Sequence, residues 1–311
     1  MTVITPAYNV ADYIAEAVTS VLAQTIPDFT YLIVDDGSTD GTAEVAEAAA
    51  GGDPRVRIIR QENQGSSAAR NTGISLATTP FIAFLDGDDR WLPETLRILI
   101  AAIDGAEPDV GAVFGHSRLI DEQGQLLRTT LERPPGRYDL SAMLRGMAPM
   151  GNGSCLLLRR SCFEEVGGFD VALRSAVDFE MWLRIQKSST TPIFHCVPKM
   201  VVDYRIRPGS ISTYPAHRFQ ALDRIFDTYA ADASPADRVH AYVSTALNAY
   251  RAGDDLFGPK WLRSALRSAP LTSVRHPEFA RALPWLVLGG RATRSLRRLI
   301  STVRSRGQSR P

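Results

Sequence analysis

Along residues 1–115 the apolar positions switch repeatedly between short unbroken runs and stripes with a period near 3.6. Short runs bounded by turn residues predict buried strands, and stripes predict amphipathic helices. The strands expected are Val3-Ile-Thr5, residues 29–34, residues 56–59, the run from Phe81 and residues 110–114. Between the first two, Tyr13, Ile14, Ala17, Val18, Val21 and Leu22 share one helix face, with Asn9 placed to cap it. A second helix is expected from between Thr39 and Thr42 to the stop at Gly51-Gly52, and a third from a Ser66 or Ser67 cap to Leu76. Leu92, Leu96, Leu99, Ile100 and Ile103 line a fourth, with Pro93 where a first-turn proline is tolerated. Such alternation implies right-handed crossovers and an α/β fold, with a mostly parallel central sheet and helices on both faces.

Residues 115–214 are less regular. A hairpin is expected over 119–127 around Glu122-Gln-Gly124, a loop over 132–136, a strand over 154–158 and a short helix that Gly167-Gly168 ends. A helix should begin near Asp178, followed by an extended segment over 197–204 and a loop over 205–212. From about Pro215 the stripes are helical only, opening with Phe219, Leu222, Ile225, Phe226 and Tyr229 and continuing to about Val303. That change divides the chain into a domain over 1–214 and an α-helical C-terminal region over 215–311, of which 305–311 is composed like disordered chain.

A hydrophobic fraction of 44%, a charged fraction of 22% and a net charge of +1 over 311 residues describe an ordinary globular protein, not a general polyanion binder. The charge is uneven, since residues 291–311 carry seven arginines and no acid. Leu296, Leu299, Ile300 and Val303 share one helical face there, which suits either a helix lying on anionic lipid or a terminal helix packed on its own domain. No reading-head aromatics or zinc ligands accompany these arginines, so nucleic acid is not an expected partner. Met1-Thr-Val-Ile leads straight into a strand pattern, and no apolar run approaches the roughly 18 residues of a membrane span. Cys155, Cys162 and Cys196 lack Cys-x-x-Cys spacing and are odd in number, as expected of reduced thiols. A cytoplasmic location is expected, peripheral at the inner face of the membrane if the basic tail makes contact.

Candidate chemistry concentrates where strands end. Phe81-Ile-Ala-Phe-Leu runs into Asp86-Gly-Asp88-Asp89, three carboxylates in four residues. Carboxylates so crowded repel one another unless a cation or polar ligand lies between them, and strand ends are where open α/β sheets bind ligands. Two readings follow, a divalent cation with a phosphate-bearing substrate beyond it, or a solvated acidic turn. A second acidic turn, Asp35-Asp36-Gly-Ser-Thr-Asp40-Gly-Thr, puts Asp36, Ser38, Asp40, Gly41 and Glu47 at EF-hand positions. A strand pattern instead of a helix precedes it, which argues against calcium. Either its side chains cap the next helix, or a carboxylate accepts hydrogen bonds from a nucleotide base or ribose. Gln64-Gly-Ser-Ser-Ala-Ala-Arg70-Asn71 adds a small-residue helix start and an arginine, a pairing that attracts anions.

Taken in order, Val3-Ile-Thr-Pro-Ala-Tyr-Asn9, Val34-Asp-Asp-Gly-Ser-Thr-Asp-Gly-Thr42, Ala69-Arg-Asn-Thr-Gly73 and Leu85-Asp-Gly-Asp-Asp-Arg-Trp-Leu-Pro93 resemble the family 2 glycosyltransferases of the GT-A fold. Val166-Gly-Gly-Phe-Asp170, Val177-Asp-Phe-Glu-Met-Trp-Leu-Arg184 and Tyr204-Arg-Ile-Arg-Pro-Gly-Ser210 are similar to that family's later blocks, so the resemblance covers residues 1–212. It implies that Pro6 and Tyr8 flank a base pocket, that Asp36 hydrogen-bonds a uracil-type base and that Arg70 lies near the nucleotide. It further implies that Asp86 contacts ribose or donor sugar, that Asp88 binds the Mg²⁺ or Mn²⁺ bridging the pyrophosphate, and that Asp178 is the catalytic base. Two positions depart from the pattern. Val177 stands where the family often has Glu, leaving Asp178 alone with Glu180 as a fallback. Arg207 stands where it often has His, unable to ligate a cation but suited to pairing with a diphosphate.

The activity so implied is transfer of a sugar from a UDP-linked donor to a hydroxyl of a surface polysaccharide or lipid-linked glycan, with inversion. One base opposite the leaving group gives direct displacement, and the sequence nominates no second, nucleophilic carboxylate. A nucleotide-sugar-binding module without turnover is the alternative of a different class. A sugar-phosphate nucleotidyltransferase would want a Gly-rich loop after the first strand, where Pro6-Ala-Tyr-Asn9 stands instead.

Overall fold

The computed structural model describes residues 1–129, 133–147, 153–188, 190, 193–207, 215–254, 256–284 and 286–287. The chain separates into two compact units, Met1–Met143 with Met147–Thr213, and Leu144–Gly146 with Tyr214–Pro311.

The first unit opens with β1 (Thr2–Ala7), α1 (Ala11–Leu22), β2 (Thr30–Asp35), α2 (Thr42–Ala50), β3 (Val56–Arg60), α3 (Ser66–Leu76) and β4 (Phe81–Phe84). It continues with β5 (Arg90–Trp91), α4 (Thr95–Asp104), β6 (Val110–Ile120), β7 (Leu126–Thr129), β8 (Gly136–Tyr138), α5 (Leu140–Ala142), β9 (Leu156–Arg159), α6 (Arg160–Val166), α7 (Val177–Gln186) and β10 (Ile193–Arg205). Among the described residues ten strands form one sheet in the order β3-β2-β1-β4-β9-β6-β10-β5, with β7 beside β6 and β8 beside β10. β3, β2, β1 and β4 run parallel, β9 opposes both β4 and β6, β10 follows β6, and β5 returns against β10. Six of the eight strands on that path therefore point one way, the mostly parallel sheet expected.

All six residues of β1 are buried, as the unbroken apolar runs require of strands covered on both faces. α1 turns Ile14, Ala17, Val18 and Val21 inward, each side chain buried completely. The 119–127 hairpin is present as β6 and β7, with Asp121 N donating to the Gln125 carbonyl at 3.0 Å. Local caps differ from the sequence expectation. Val10, not Asn9, precedes α1, and Asn9 takes a positive φ of 49°. Gly65, not a serine, precedes α3 and gives it no side-chain cap.

The second unit contains α8 (Pro215–Tyr229), α9 (Pro235–Arg251), α10 (Phe257–Ser268) and α11 (Pro270–Arg275). Ser234 caps α9 by accepting from Asp237 N at 3.2 Å, with Pro235 in the first turn, where its missing N–H costs nothing. Trp261 sits at its centre with Phe219 and Phe226 edge-on to it, and its indole N–H donates to Asp223 at 3.1 Å. The basic stretch 291–311 and residues 208–212 of the expected loop lie outside the described residues. No helix among the described residues is long and apolar enough to cross a membrane.

Candidate active site

The carboxyl ends of β1, β2 and β4 meet at one edge. Ala7 pairs with Asp35, Asp36 N donates to the Ala7 carbonyl at 2.8 Å, and Leu85 N donates to the Ile4 carbonyl at 3.0 Å. The turn after β4 lies close against the end of β1. A Cβ on Gly87 would stand 3.0 Å from Val10, 3.3 Å from Ile14 and 3.4 Å from the Pro6 carbonyl, so only glycine sits there without displacing its neighbours.

Within this turn the three carboxylates have different surroundings. Asp89 is wholly buried, accepts from Ser154 Oγ at 2.7 Å and from Arg205 N at 2.9 Å, and so serves as an internal strut. The Ser154 hydroxyl also accepts from Asp86 N at 3.0 Å, closing the turn. Asp86 and Asp88 face guanidinium groups instead. Arg70 Nη2 lies 2.6 Å from Asp86, and Arg207 Nε lies 2.6 Å from Asp88. Burial, then the negative charge of Asp86, raises Asp88 above the usual carboxylate range despite Arg207. Burial followed by Asp88 and Asp86 raises Asp89 much further.

Arg205 holds the backbone of this region. Its guanidinium donates to the carbonyls of Asp88 at 2.8 Å, Asp121 at 3.2 Å and Glu122 at 2.8 Å, and to the Glu16 carboxylate at 2.9 Å. The Tyr13 ring lies 4.9 Å from the Arg205 guanidinium and 5.6 Å from that of Arg207, within cation–π range of both.

Arg70 links the acidic turn to Asp178. It projects from α3, is 4% exposed, and packs 5.5 Å over the Phe169 ring. The next residue, Asn71, clasps the Phe169 backbone, accepting from its N–H at 2.7 Å and donating to its carbonyl at 2.9 Å. A Cβ on Gly168 would fall 2.3 Å from Asn71 Oδ1, which is why glycine precedes Phe169. Phe169 in turn packs edge-on against Phe84 at 5.5 Å and Trp182 of α7 at 6.3 Å. α7 begins after Ala176, held at a positive φ of 55°, so Asp178 lies in its first turn and does not cap its own helix.

Burial raises Asp178 first, and Asp86 adds to this; Arg70 and a hydrogen bond from the Gly153 backbone oppose it. Its Oδ1 is buried without a hydrogen-bond partner among the described residues, as are Arg70 Nε and Ser67 Oγ, one turn earlier on α3. Glu180, the fallback base, is tied to Arg184 at 2.8 Å and 3.1 Å.

On the β2 side, Asp36 is 2% exposed and accepts from Gln64 N at 3.0 Å, Gly65 N at 2.7 Å and Gln61 Nε2 at 2.7 Å. Pro6 is buried within β1, and Tyr8 just beyond it is 48% exposed, an aromatic face open at the sheet edge. Asp40 spends its oxygens on Ala11 N at 3.0 Å, Thr42 N at 3.0 Å and Thr42 Oγ1 at 2.6 Å. The calcium-loop spacing is therefore spent on helix starts, behind a strand. Among the described residues no group of three or more His, Cys, Asp and Glu gathers to hold a metal.

Asp86, Asp88, Arg70, Asp178 and Arg207 thus form one charged cluster, with Asp36, Pro6 and Tyr8 beside it along the sheet edge. Sequence reasoning missed Ser154, Tyr13 and the structural part played by Arg205. A hydroxyl within 115–175 has no periodic signature, whereas Arg205 stands in a block already singled out.

Comparison with known proteins gives the family and the fold. The family model for "Glycosyl transferase family 2" matches residues 2–167. Over 190 residues, 60% of this chain, it is 31% identical to an uncharacterized glycosyltransferase of Rickettsia conorii, and over 186 residues, 58% of the chain, 33% identical to chondroitin synthase of Escherichia coli. Those matches take in 31% and 26% of the relatives' own lengths. Among solved structures, TarS of S. aureus in complex with UDP-GlcNAc superposes with a TM-score of 0.68 at 19% identity, covering 94% of this chain and 91% of that one. The mannosyltransferase PcManGT of Pyrobaculum calidifontis, in complex with GDP-Man and Mn²⁺, gives 0.61 at 22% identity, covering 92% and 79%. With the family model spanning more than half of its length, and with the fold of these neighbours, the chain belongs to glycosyl transferase family 2 and carries the GT-A fold.

Proposed function

We propose that this chain is an inverting glycosyltransferase that moves a sugar from a UDP-linked donor to a hydroxyl of a glycan or lipid-linked acceptor, and that residues 1–214 carry the activity. The observation that carries the reading is the charged cluster, Arg70 on Asp86 and Arg207 on Asp88, in which Arg70 Nε and Asp178 Oδ1 are buried without hydrogen-bond partners among the described residues. Each such atom costs about 1–3 kcal/mol unless something polar arrives to satisfy it. UDP-GlcNAc in TarS and the polymer made by chondroitin synthase support the donor and acceptor classes.

Tyr8, Pro6 and Asp36 lie where the base would rest, Asp36 by ordering the 61–65 loop beneath it. Arg70 holds Asp86 toward the ribose or sugar, and Arg207 supplies positive charge for the diphosphate. A divalent cation, Mg²⁺ or Mn²⁺, fits Asp88, because such ions take one or two carboxylates and complete their shell from substrate phosphates and water. Asp86 and Asp88 are the two partly exposed carboxylates of the turn. When bound, the ion supplies Lewis acidity to the leaving diphosphate.

Asp178 takes the proton of the acceptor hydroxyl as that oxygen attacks. Its raised proton affinity makes it a stronger base than an ordinary aspartate. Asp86, Asp88 and Asp89 are each engaged, so no second carboxylate is offered as a nucleophile, and direct displacement inverts the anomeric centre. A panel of nucleotide-sugars screened for thermal stabilisation with Mn²⁺ tests the reading. A ligand at 100 times its Kd should stabilise the fold by about 2.7 kcal/mol. A UDP-sugar should raise Tm most; no shift with any nucleotide-sugar would remove the reading.

A further inference from the structure

We infer that Arg207 and the divalent cation are alternative partners of Asp88, and that Arg207 passes to the donor's diphosphate when the cation takes the carboxylate. The inference rests on the nucleotide-sugar reading above and adds how that site is regulated before the donor arrives.

Two arginines share the Tyr13 ring and differ in how they are held. The Arg205 side chain is wholly buried and spends its donors on three backbone carbonyls and Glu16. Arg207, two residues on, is 22% exposed, and its Nε meets Asp88, itself 18% exposed, at 2.6 Å. Arg205 is fixed; Arg207 holds a single carboxylate at the edge of solvent. Because Arg205 anchors the end of β10, Arg207 stays tethered within reach of Asp88 after letting go.

A guanidinium and a divalent cation cannot both take up the same carboxylate oxygen, since their like charges repel at contact distance. Arg207 holds Asp88 Oδ2, so a cation that takes that oxygen in the absence of nucleotide displaces Arg207 into water. With a nucleoside diphosphate present, the displaced guanidinium gains phosphate oxygens, which suit its planar fork better than a single carboxylate oxygen does. Cation and nucleotide should consequently bind with positive coupling, each strengthening the other. In the resting site the protein's own cation relieves the crowding of Asp86 and Asp88.

Electron paramagnetic resonance titration of Mn²⁺ into the full chain, with and without UDP, separates the cases. Arg207→Ala should bind Mn²⁺ alone about twofold to fivefold more tightly than wild type, the worth of a partly exposed ion pair. The tightening of Mn²⁺ by UDP should shrink in the same variant. Arg207→Gln serves as a second variant and should behave alike, whereas Arg207→Lys should retain the competition. Mn²⁺ affinity in Arg207→Ala and Arg207→Gln equal to or weaker than wild type, or no binding by any form, overturns the exchange. If UDP-sugars still stabilise wild type under that outcome, only the exchange has failed and the transferase reading stands.

Discussion

Two acidic turns follow parallel strands in this molecule, and their carboxylates are treated in opposite ways. In the turn after β2, Asp35 accepts from Ser38 N, Asp36 from Gln64 N and Gly65 N, and Asp40 from Ala11 N and Thr42 N. Backbone amides cannot leave, so these hydrogen bonds fix the turn in place. In the turn after β4, Asp86 and Asp88 are held by the side chains of Arg70 and Arg207. Guanidinium groups can be exchanged for a metal or moved onto a phosphate. Asp40 and Asp88 differ electrostatically in the same sense. Burial would raise Asp40, but hydrogen bonds from Thr42 and Ala11 outweigh it and hold Asp40 below the usual range. Burial and mutual repulsion raise Asp88 and Asp89. A carboxylate satisfied by amides shapes a site, and one satisfied by side-chain cations can serve as a site.

Substitutions in the two turns should therefore fail differently. The largest stability effect is expected from Asp36→Ala, which strands two backbone amides and Gln61; urea denaturation should show a loss of about 3 kcal/mol. An unchanged midpoint would make Asp36 a ligand group and not a strut. Asp88→Asn should keep or raise Tm at neutral pH. The sign follows from its raised folded-state proton affinity: the folded state binds the proton more tightly than the unfolded chain, so stability falls as pH rises through that range. Asparagine removes that loss, and the same variant should lose cation-dependent UDP binding; a clear drop in Tm with binding intact would erase the contrast between the turns.

The smallest expected effect is a displacement along the pH axis. As the proposed base, Asp178 has to be deprotonated to act, so kcat/KM should rise with pH through a limb above the ordinary aspartate range. Arg70 opposes that elevation, so Arg70→Gln should move the limb of its residual activity to still higher pH. A limb that stays put, or moves down, would uncouple the two residues.

The alternation of strand and helix was readable because 3.6-residue stripes and unbroken apolar runs are local properties. The reversal of β9 between β4 and β6 was not, because direction and partner depend on residues dozens of positions away. β5 has two residues and no period to detect. At the site, Asp86, Asp88, Asp178 and Arg70 were found through their motifs, but the motifs do not say who faces whom. That Asp89 is a buried strut while Asp88 is exchangeable depends on Ser154 and the Arg205 amide, 65 and 116 positions away in the chain. Asn9, Ser66 and Ser67 suited capping by residue type, yet the backbone on either side placed Val10 and Gly65 at those positions.

In the proposed reaction Asp178 takes a proton from the acceptor while the rest of the cluster binds the donor. Asp178→Asn keeps the shape of the side chain and removes the base. Calorimetric titration of the donor identified by stabilisation screening, beside a transfer assay on the same preparation, separates the two functions. Donor affinity should stay within about threefold of wild type while transfer falls by about a thousandfold, within the range general-base catalysis contributes. Transfer at the wild-type rate in Asp178→Asn would mean that Asp178 is not the base.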